Sequence, residues 1–384
     1  MDVFARNSSG NILASGSASG SIVRINVDVP AWDQLGQRNG YQFIKAVDII
    51  KDQFSYYNYS GGSTGSLPAG AKWAGGVLAP NGNIYCVPYD ATSSLKINTN
   101  TKNESFSFIG SLAATSAKWV GASLAPNGKI YFAPLSNTNS SILVINTNSD
   151  TVSSISYTPQ TNGNYASAVT SNDGNVYFLP YNATSIAKVI TSIDTLSYLG
   201  NITGNNKYQG GVLATNNGCI YCVPYDAATI LKINPVTDQI TTFGSFPAGS
   251  NKWSGGVLAA NGLIYCIPYN STGSLIINPF NDTYVISGSL SSGGFKYSGG
   301  ALGLDGNIYS FGAAFSNYLK INTTTNTLTE VNIGISSRSG ATLGANGKIY
   351  GIPLSATSVG VLSMNVSASV DINIPLSRYL NKAL

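Results

Sequence analysis

Short runs of alternating apolar and polar residues recur along the chain, and tight turns separate them. In the stretch Gly75 to Asp90, an apolar run is followed by Asn81-Gly82, a second apolar run and a Pro-Tyr-Asp corner. Asn-Gly between two apolar runs favours a β-hairpin, because both residues tolerate a positive φ. The pattern therefore predicts two antiparallel strands in this stretch.

A tyrosine in the second run marks seven copies of the stretch. Each tyrosine follows Ile or Val, with Gly two positions further back, and the seven are Tyr85, Tyr131, Tyr177, Tyr221, Tyr265, Tyr309 and Tyr350. The steps between them are 46, 46, 44, 44, 44 and 41 residues. A near-constant period of this size indicates a repeat architecture.

Each repeat contains two further apolar runs. The third run reads Leu-x-Ile-Asn, as in Leu95–Asn98 and Leu231–Asn234, and the fourth is looser, as in Ser105–Leu112. Four short antiparallel strands in a period of about 40 to 50 residues are typical of a β-propeller blade. The sequence therefore predicts an all-β fold, a seven-bladed β-propeller with four-stranded antiparallel blades.

Two segments could complete the seventh blade and close the ring. The stretch from Gly65 to Trp73 is similar to that from Gly244 to Trp253, so the residues just before position 65 could supply an outer strand. The alternative is Val370–Ile374 near the C-terminus. We favour the first alternative because of the internal similarity.

The repeat divides the chain into three parts. We expect an N-terminal arm or anchoring segment at residues 1–53, the propeller at 54–376 and a tail at 377–384, which could form a short docking helix. Alternating apolar residues between Asn11 and Val29 predict a hairpin or an extended arm. The spacing of Phe43, Val47 and Ile50 predicts a short amphipathic helix over Tyr41–Ile50.

The repeat resembles the seven-bladed propellers that are assembled from blade-sized units, such as the kelch and Trp-Asp groups. It carries neither the Trp-Asp dipeptide nor the kelch Gly-Gly/Tyr/Trp layout. The resemblance covers residues 54 to 376 and concerns the architecture only, and it implies no particular function.

Composition narrows the function classes. Charged residues make up only 9% of the chain and the net charge is +4, without a Lys/Arg block, so we expect no nucleic-acid partner. No apolar run approaches a membrane span, and the N-terminus lacks the features of a cleaved signal peptide. The four cysteines are expected to be buried free thiols, in keeping with a reducing compartment.

Catalysis is not expected. The chain contains no histidine, which removes the commonest general base and the usual metal ligands. Two carboxylates would suffice for a glycosidase, but most acidic residues occupy turns and do not converge. We therefore predict a protein that is not an enzyme and needs no cofactor or metal.

Two sets of residues are candidates for a ligand-binding face. A basic-aromatic pair precedes the first run of most repeats, and a Pro-Tyr-Asp/Asn corner follows the second run. Because both connections lie at the same end of an up-and-down blade, we expect them to share one face. Aromatic rings beside amides and carboxylates suit sugar stacking and hydrogen bonding. The candidate residues are Trp73, Trp119, Tyr208, Trp253, Tyr297, Tyr89, Asp90, Tyr225, Asp226, Tyr269 and Asn270.

A structural role is the alternative for both sets. A repeated aromatic residue could wedge between adjacent blades with the lysine stem lying over it. Asp or Asn after Pro-Tyr is also a common turn former.

Three function classes fit these observations. The low-charge surface, rich in Asn, Ser, Thr, Gly and Tyr, is similar to that of phage fibre and decoration proteins. We therefore expect a structural or adhesion component of a virus particle, with a tailed phage as the expected kind of virus. It would be made in the cytoplasm, attached to other virion proteins through the arm, and display the propeller to a host surface or glycan. The alternatives are a free-standing lectin-like module, or a cytoplasmic protein-interaction scaffold. In each class, the sequence leaves open whether the protein forms a homo-oligomer.

Overall fold

The computed structural model describes residues 67, 70, 72–100, 105–135, 141–157, 164–334 and 336–363, and strand backbone at 2–6, 12–19, 22–23, 45–58 and 364–370. The chain divides into two compact units, Phe54–Ser363 and a second one made of Met1–Gln53 with Met364–Leu384. All the regular elements in these described ranges are strands. Among the same residues, no helix is long and apolar enough to cross a membrane.

The described residues form seven four-stranded antiparallel sheets, and together these make a seven-bladed β-propeller, as predicted. The first strands of successive blades contact one another in turn, and that of the seventh contacts that of the first. First strands therefore line the axis of the ring. They are β5 (Trp73–Leu78), β9 (Trp119–Leu124), β13 (Tyr165–Thr170), β17 (Tyr208–Leu213), β21 (Trp253–Leu258), β25 (Ala301–Leu302) and β29 (Arg338–Leu343).

The other three positions of each blade follow outward. Second strands are β6 (Asn83–Pro88), β10 (Lys129–Pro134), β14 (Val176–Pro180), β18 (Ile220–Pro224), β22 (Ile264–Pro268), β26 (Ile308–Phe311) and β30 (Ile349–Pro353). Third strands are β7 (Ser94–Asn98), β11 (Ser141–Asn146), β15 (Ile186–Ile190), β19 (Ile230–Asn234), β23 (Ser274–Asn278), β27 (Asn317–Asn322) and β31 (Ser358–Val370). Outer strands are β4 (Lys45–Asn58), β8 (Ser105–Ile109), β12 (Thr151–Ser156), β16 (Thr195–Leu199), β20 (Gln239–Phe243), β24 (Thr283–Ser287) and β28 (Thr327–Asn332).

A strand from the N-terminal side completes the seventh blade. The order of this sheet is β29-β30-β31-β4, so three strands come from the end of the propeller sequence and the outer one precedes the first blade. This is the favoured alternative of the two closures. Residues 371–374, which the other closure required, lie outside the described residues.

Three further strands precede β4. They are β1 (Asp2–Arg6), β2 (Ile12–Ser19) and β3 (Ile22–Val23), and β2 pairs with both of the others in antiparallel fashion. The predicted helix over Tyr41–Ile50 is wrong where the structure describes it, because β4 begins at Lys45. Its β-branched residues favour an extended backbone, and β31 supplies a partner strand. The predicted C-terminal docking helix lies outside the described residues.

The hydrophobic core lies between the blades. One cluster joins Tyr221 and Val223 of the fourth blade to Trp253, Ile264 and Cys266 of the fifth. Cysteines are free and buried, as predicted; they are Cys86, Cys219, Cys222 and Cys266. Burial raises the pKa of these thiols, so they stay protonated and pack as small apolar groups.

First strands approach one another closely at the axis. In the fifth blade, Trp253 pairs with Pro268 and Gly256 with Cys266, so the backbone bulges between them. Gly255 lies in this bulge with a φ of +84°, and a Cβ there would come within 2.6 Å of Gly299 Cα in the next blade. Only glycine satisfies both conditions.

The turns between first and second strands, and between third and outer strands, form the turn face of the ring. The repeat tyrosine belongs here. Tyr221 is fully buried and its hydroxyl donates to Asp282 Oδ1 of the next blade at 2.6 Å, while Lys232 Nζ donates to Asp282 Oδ2 at 2.6 Å. Asn217 completes the contact by donating to the Tyr221 hydroxyl. We call this arrangement the tyrosine latch.

Latches recur between other blades, with informative variation. Tyr85 bonds Asp150, Tyr131 bonds Asp194 and Tyr177 bonds Asp238, each with a lysine on the same carboxylate. Between the fifth and sixth blades, the partner of Tyr265 is the neutral Asn326, and Ile276 occupies the position of the lysine. Charge is therefore lost from both sides together, which indicates that the tyrosine motif has a structural role.

Candidate functional site

The opposite face carries the second-to-third and outer-to-inner connections, and we call it the loop face. Backbone hydrogen bonds join these connections around the ring. The Tyr225 amide donates to Lys207 O of its own blade at 2.9 Å, and the Tyr225 carbonyl accepts from Lys252 N of the next blade at 2.8 Å. Both predicted residue sets therefore share one face, on a framework that is fixed from two sides.

The basic residue of each pair is buried. Exposed fractions are at most 7%, and the set comprises Lys72, Lys118, Lys207, Lys252, Lys296 and Arg338. Backbone carbonyl oxygens accept hydrogen bonds from the ammonium groups: Lys252 Nζ donates to Pro247 O at 3.0 Å, and Lys296 Nζ donates to Gly293 O at 2.8 Å. Burial lowers the pKa of Lys207 to about 8.

The aromatic residues of these pairs are also buried, with exposed fractions of 0 to 5%; they are Trp73, Trp119, Tyr208, Trp253 and Tyr297. Indole N–H groups donate to backbone carbonyls, for example Trp253 Nε1 to Gly273 O at 2.8 Å. A ring this covered offers no face to a sugar, so the geometry argues against stacking on these five residues. They fill the spaces between blades, which the structural alternative described.

The acidic and amide residues of the corners organise the neighbouring loops. Asp90 Oδ1 accepts from Ala117 N at 2.6 Å, and Asp226 Oδ1 accepts from Asn251 N at 2.7 Å. Ala117 has a φ of 52°, in the left-handed region, so the carboxylate stabilises a backbone conformation that the residue would not otherwise prefer.

Amides make the same contact in two other blades. Asn182 Oδ1 accepts from Asn206 N at 2.7 Å, and Asn270 Oδ1 accepts from Phe295 N at 2.8 Å. Because Asp and Asn perform the same capping role, the charge at this position is not needed to hold the loop.

The tyrosines of the corners converge. Ring centroids are 5.9 Å apart for Tyr181 and Tyr225 and 5.5 Å apart for Tyr225 and Tyr269. Tyr89, from the first blade, contributes to the raised pKa values of both Tyr181 and Tyr269, after the larger effect of burial. Tyr89, Tyr181 and Tyr269 belong to blades one, three and five, so these phenols lie close enough for their charges to interact across the ring.

An exposed ring extends this group. Phe295 is 53% exposed, and its centroid lies 5.2 Å from that of Tyr269 in an edge-to-face arrangement. We call Tyr89, Tyr181, Tyr225, Tyr269 and Phe295 the tyrosine mouth. Phe295 was missed in the sequence because the same slot holds Ala117, Asn206 and Asn251 in other blades, and no local pattern marks it.

A concave region lies at the outer edge of the ring. It is a cavity of about 350 Å³ between the outer strands of the second and third blades, lined by Ile155, Ser156, Tyr157, Asp194, Thr195, Leu196 and Tyr198. Asp194 is already engaged by Tyr131 and Lys129 of the latch. We call this region the outer groove.

Comparisons with known proteins give the fold. No family model matches the sequence, and no match was found among curated proteins. Virginiamycin B lyase from Staphylococcus aureus, in a catalytically inactive form with a histidine replaced by alanine and with quinupristin, is 13% identical, with a TM-score of 0.68 over 82% of this chain and 100% of that chain.

Two further propellers are similar. The WD40 β-propeller domain of Doa1 is 12% identical, with a TM-score of 0.59 over 79% of this chain and 98% of that domain. YCF48 bound to D1 peptide is 11% identical, with a TM-score of 0.58 over 85% of this chain and 99% of that chain. At these identities the likeness shows the propeller fold and leaves the function to be argued from the site.

Proposed function

We propose that this protein is a non-enzymatic binding propeller that takes a surface glycan at the tyrosine mouth. The observation that carries the proposal is the chain of ring contacts from Tyr181 through Tyr225 and Tyr269 to the exposed Phe295, with Tyr89 near enough to act on Tyr181 and Tyr269. Tyr225 is only 6% exposed, so the faces open to a sugar are those of the half-buried Tyr89, Tyr181 and Tyr269 and of the exposed Phe295. Such rings can stack on sugar C–H faces, and the tyrosine hydroxyls can hydrogen-bond to sugar hydroxyls. The two-sided backbone bonds of Tyr225 keep the arrangement preformed.

The chemistry of the loop face favours binding over catalysis. The chain has no histidine, whereas the structurally similar lyase is inactive when a histidine is replaced by alanine. Asp90 and Asp226 already accept backbone N–H bonds in their capping role. The buried thiols are protonated and therefore poor nucleophiles.

A glycan array with the full chain tests the proposal. Tyr269→Ala and Phe295→Ala each remove a ring from the mouth, and Tyr198→Ala removes a 37% exposed ring from the outer groove as the matched control. We expect the mouth variants to lose about tenfold or more in affinity for the glycans bound, because a central aromatic contact contributes on the order of 2 kcal/mol. Circular dichroism confirms that each variant is folded.

Two outcomes contradict the proposal. One is binding that survives both mouth variants and is lost in Tyr198→Ala. The other is the absence of any bound glycan. The peptide-bound propeller YCF48 shows that a related fold can hold a peptide, so a peptide array is the next step in that second case.

Display on a virus particle is the further part of the proposal, and low-charge composition with an N-terminal segment outside the repeat supports it. Removing residues 1–44, which keeps the ring-closing strand β4, is expected to abolish assembly with other virion proteins and to leave glycan binding intact. A free-standing lectin would tolerate the same truncation in every assay.

A further inference from the structure

The ring distributes its charge unequally between its two faces. On the turn face, four described lysines pair with the carboxylates of the latches: Lys96 with Asp150, Lys129 with Asp194, Lys188 with Asp238 and Lys232 with Asp282. A fifth, Lys320, pairs with Asp305 within the sixth blade. Of the described residues, Lys348 and Asp173 complete this face, so six cations match six carboxylates. The described part of the turn face is therefore neutral.

The loop face has an excess of positive charge. Its described residues include the six buried cations that precede the first strands, and three carboxylates, which are those of Asp90, Asp226 and Glu330. Glu330 belongs here because its Oε1 accepts from the Tyr297 hydroxyl and its charge acts on Lys296. The balance is therefore +3 on this face, which corresponds to most of the net charge of +4 of the whole chain.

Hydrogen-bond donors stand at the centre of this face. Burial raises the pKa of Tyr181 to about 12 and also raises that of Tyr225 and Tyr269, so the hydroxyls keep their protons at neutral pH. Protonated phenols donate strongly to a carboxylate, and the O–H···O⁻ bond is short. A positive face with converging O–H donors is complementary to an anion.

We infer that the glycan at the tyrosine mouth is an acidic one, held by its carboxylate among the phenol hydroxyls and by its ring against Phe295 and Tyr269. The inference rests on the proposed function, and it names the substrate class. A carboxylate-bearing sugar such as a sialic acid combines the two chemistries that the mouth offers, namely an anion and an apolar ring face. The buried lysines contribute through their charge and do not contact the sugar.

The two capping positions, Asp226 and Asn182, allow one unit charge to be removed or added while the side chain keeps nearly the same shape. Asp226→Asn removes a negative charge and keeps the cap, because Asn182 caps its loop in the same way in the adjacent blade. Asn182→Asp adds a negative charge at the equivalent position of the third blade. Asp226 lies close enough to the mouth to contribute to the raised pKa of Tyr181.

The experiment is a calorimetric titration of the full chain with 3′-sialyllactose and with lactose at low salt. We expect sialyllactose to bind at least about tenfold more tightly than lactose. Asp226→Asn should tighten sialyllactose binding by about two- to fivefold and Asn182→Asp should weaken it by a similar factor, as expected for a unit charge at about 10 Å with an effective dielectric constant of about 35 to 80. Lactose binding should not respond to either variant, and 0.5 M NaCl should remove most of the charge effect.

Two results overturn the inference. If lactose binds as tightly as sialyllactose and Tyr269→Ala weakens both, the proposed site stands and the acidic specificity falls. If sialyllactose does not bind at 10 mM while neutral glycans bind on the array, the acidic class is again excluded. Failure of the proposed function gives a different pattern, in which sialyllactose binds and neither Tyr269→Ala nor Phe295→Ala changes its affinity.

Discussion

The tyrosine latch between the fourth and fifth blades offers a test of what holds the ring together. Asp282 accepts from the Tyr221 hydroxyl and from Lys232, whereas the equivalent latch between the fifth and sixth blades has Asn326 and Ile276. Asp282→Asn and Lys232→Ile together therefore convert one native latch into the other. Asn326 and Asp282 have φ values of 58° and 56°, so the exchange is compatible with the backbone.

The expected changes in the free energy of unfolding follow from how exposed the two side chains are. The Lys232 and Asp282 side chains are 21% and 38% exposed, so their direct attraction is weak and contributes about 0.5–1 kcal/mol. Asp282→Asn alone also exchanges a charged acceptor of the Tyr221 hydroxyl for a neutral one, so we expect a loss of about 1–2 kcal/mol in the free energy of unfolding. Lys232→Ile alone should cost about 0–1 kcal/mol. The double variant should be about 1 kcal/mol more stable than the sum of the two single effects predicts.

Urea unfolding at pH 7, followed by tryptophan fluorescence, measures these values, since Trp253 is buried in the fifth blade. The m-value must stay constant for the comparison to hold. Raising NaCl to 1 M should reduce the coupling, because salt screens a partly exposed pair. Strict additivity, with a coupling below about 0.3 kcal/mol, would refute the view that the charge on the two sides of the latch acts as a unit.

Three further predictions concern the rest of the ring. Gly255→Ala should lower the free energy of unfolding by about 2–4 kcal/mol, because this position combines a positive φ with a close contact to Gly299. The control Gly306→Ala, at a position with a φ of +80° and open space around it, should lower it by only about 1 kcal/mol. Equal losses for the two variants in calorimetry would contradict the close-contact argument. Burial lowers the pKa of Lys207 to about 8 from 10.5, so the native state releases this proton at a lower pH than the unfolded state does. The free energy of unfolding should therefore rise with pH between 8 and 10.5 relative to that of Lys207→Met. A difference between the two proteins that stays constant with pH in urea unfolding would exclude the lowered pKa. Burial and the Asp282 carboxylate raise the pKa of Tyr221 to about 12 from 10, so this tyrosine ionises at a lower pH in the unfolded state and the free energy of unfolding should fall above pH 10. Absorbance at 295 nm should show the buried tyrosines ionising only as the protein unfolds. Ionisation of all tyrosines near pH 10 in the folded protein would disprove the raised pKa.

Most of the fold was predictable because its signals are local and repeated. The Asn-Gly turn and the period-2 alternation around Tyr85 recur often enough to specify seven hairpins, and the similarity of two loop stretches indicated how the ring closes. The helix over Tyr41–Ile50 failed because the spacing of three residues cannot distinguish a helix from a strand that finds a partner far along the chain. That partner, β31, is more than 300 residues away.

The site was predictable only in part. Sequence placed both residue sets on one face, but it could not show which aromatic side chains turn inward. Trp253 and Tyr208 begin first strands, so their rings enter the space between blades, whereas Tyr225 and Tyr269 follow second strands near the axis. Phe295 gains its position from a loop that Asn270 caps, which is a contact between two different repeats.

The position of a bound glycan tests the account most directly. A crystal structure of the full chain with the tightest-binding glycan from the array should show the sugar over Tyr269 and Phe295, with its carboxylate among the phenol hydroxyls. A sugar in the outer groove, against Tyr157 and Tyr198, with the tyrosine mouth unchanged, would contradict the account.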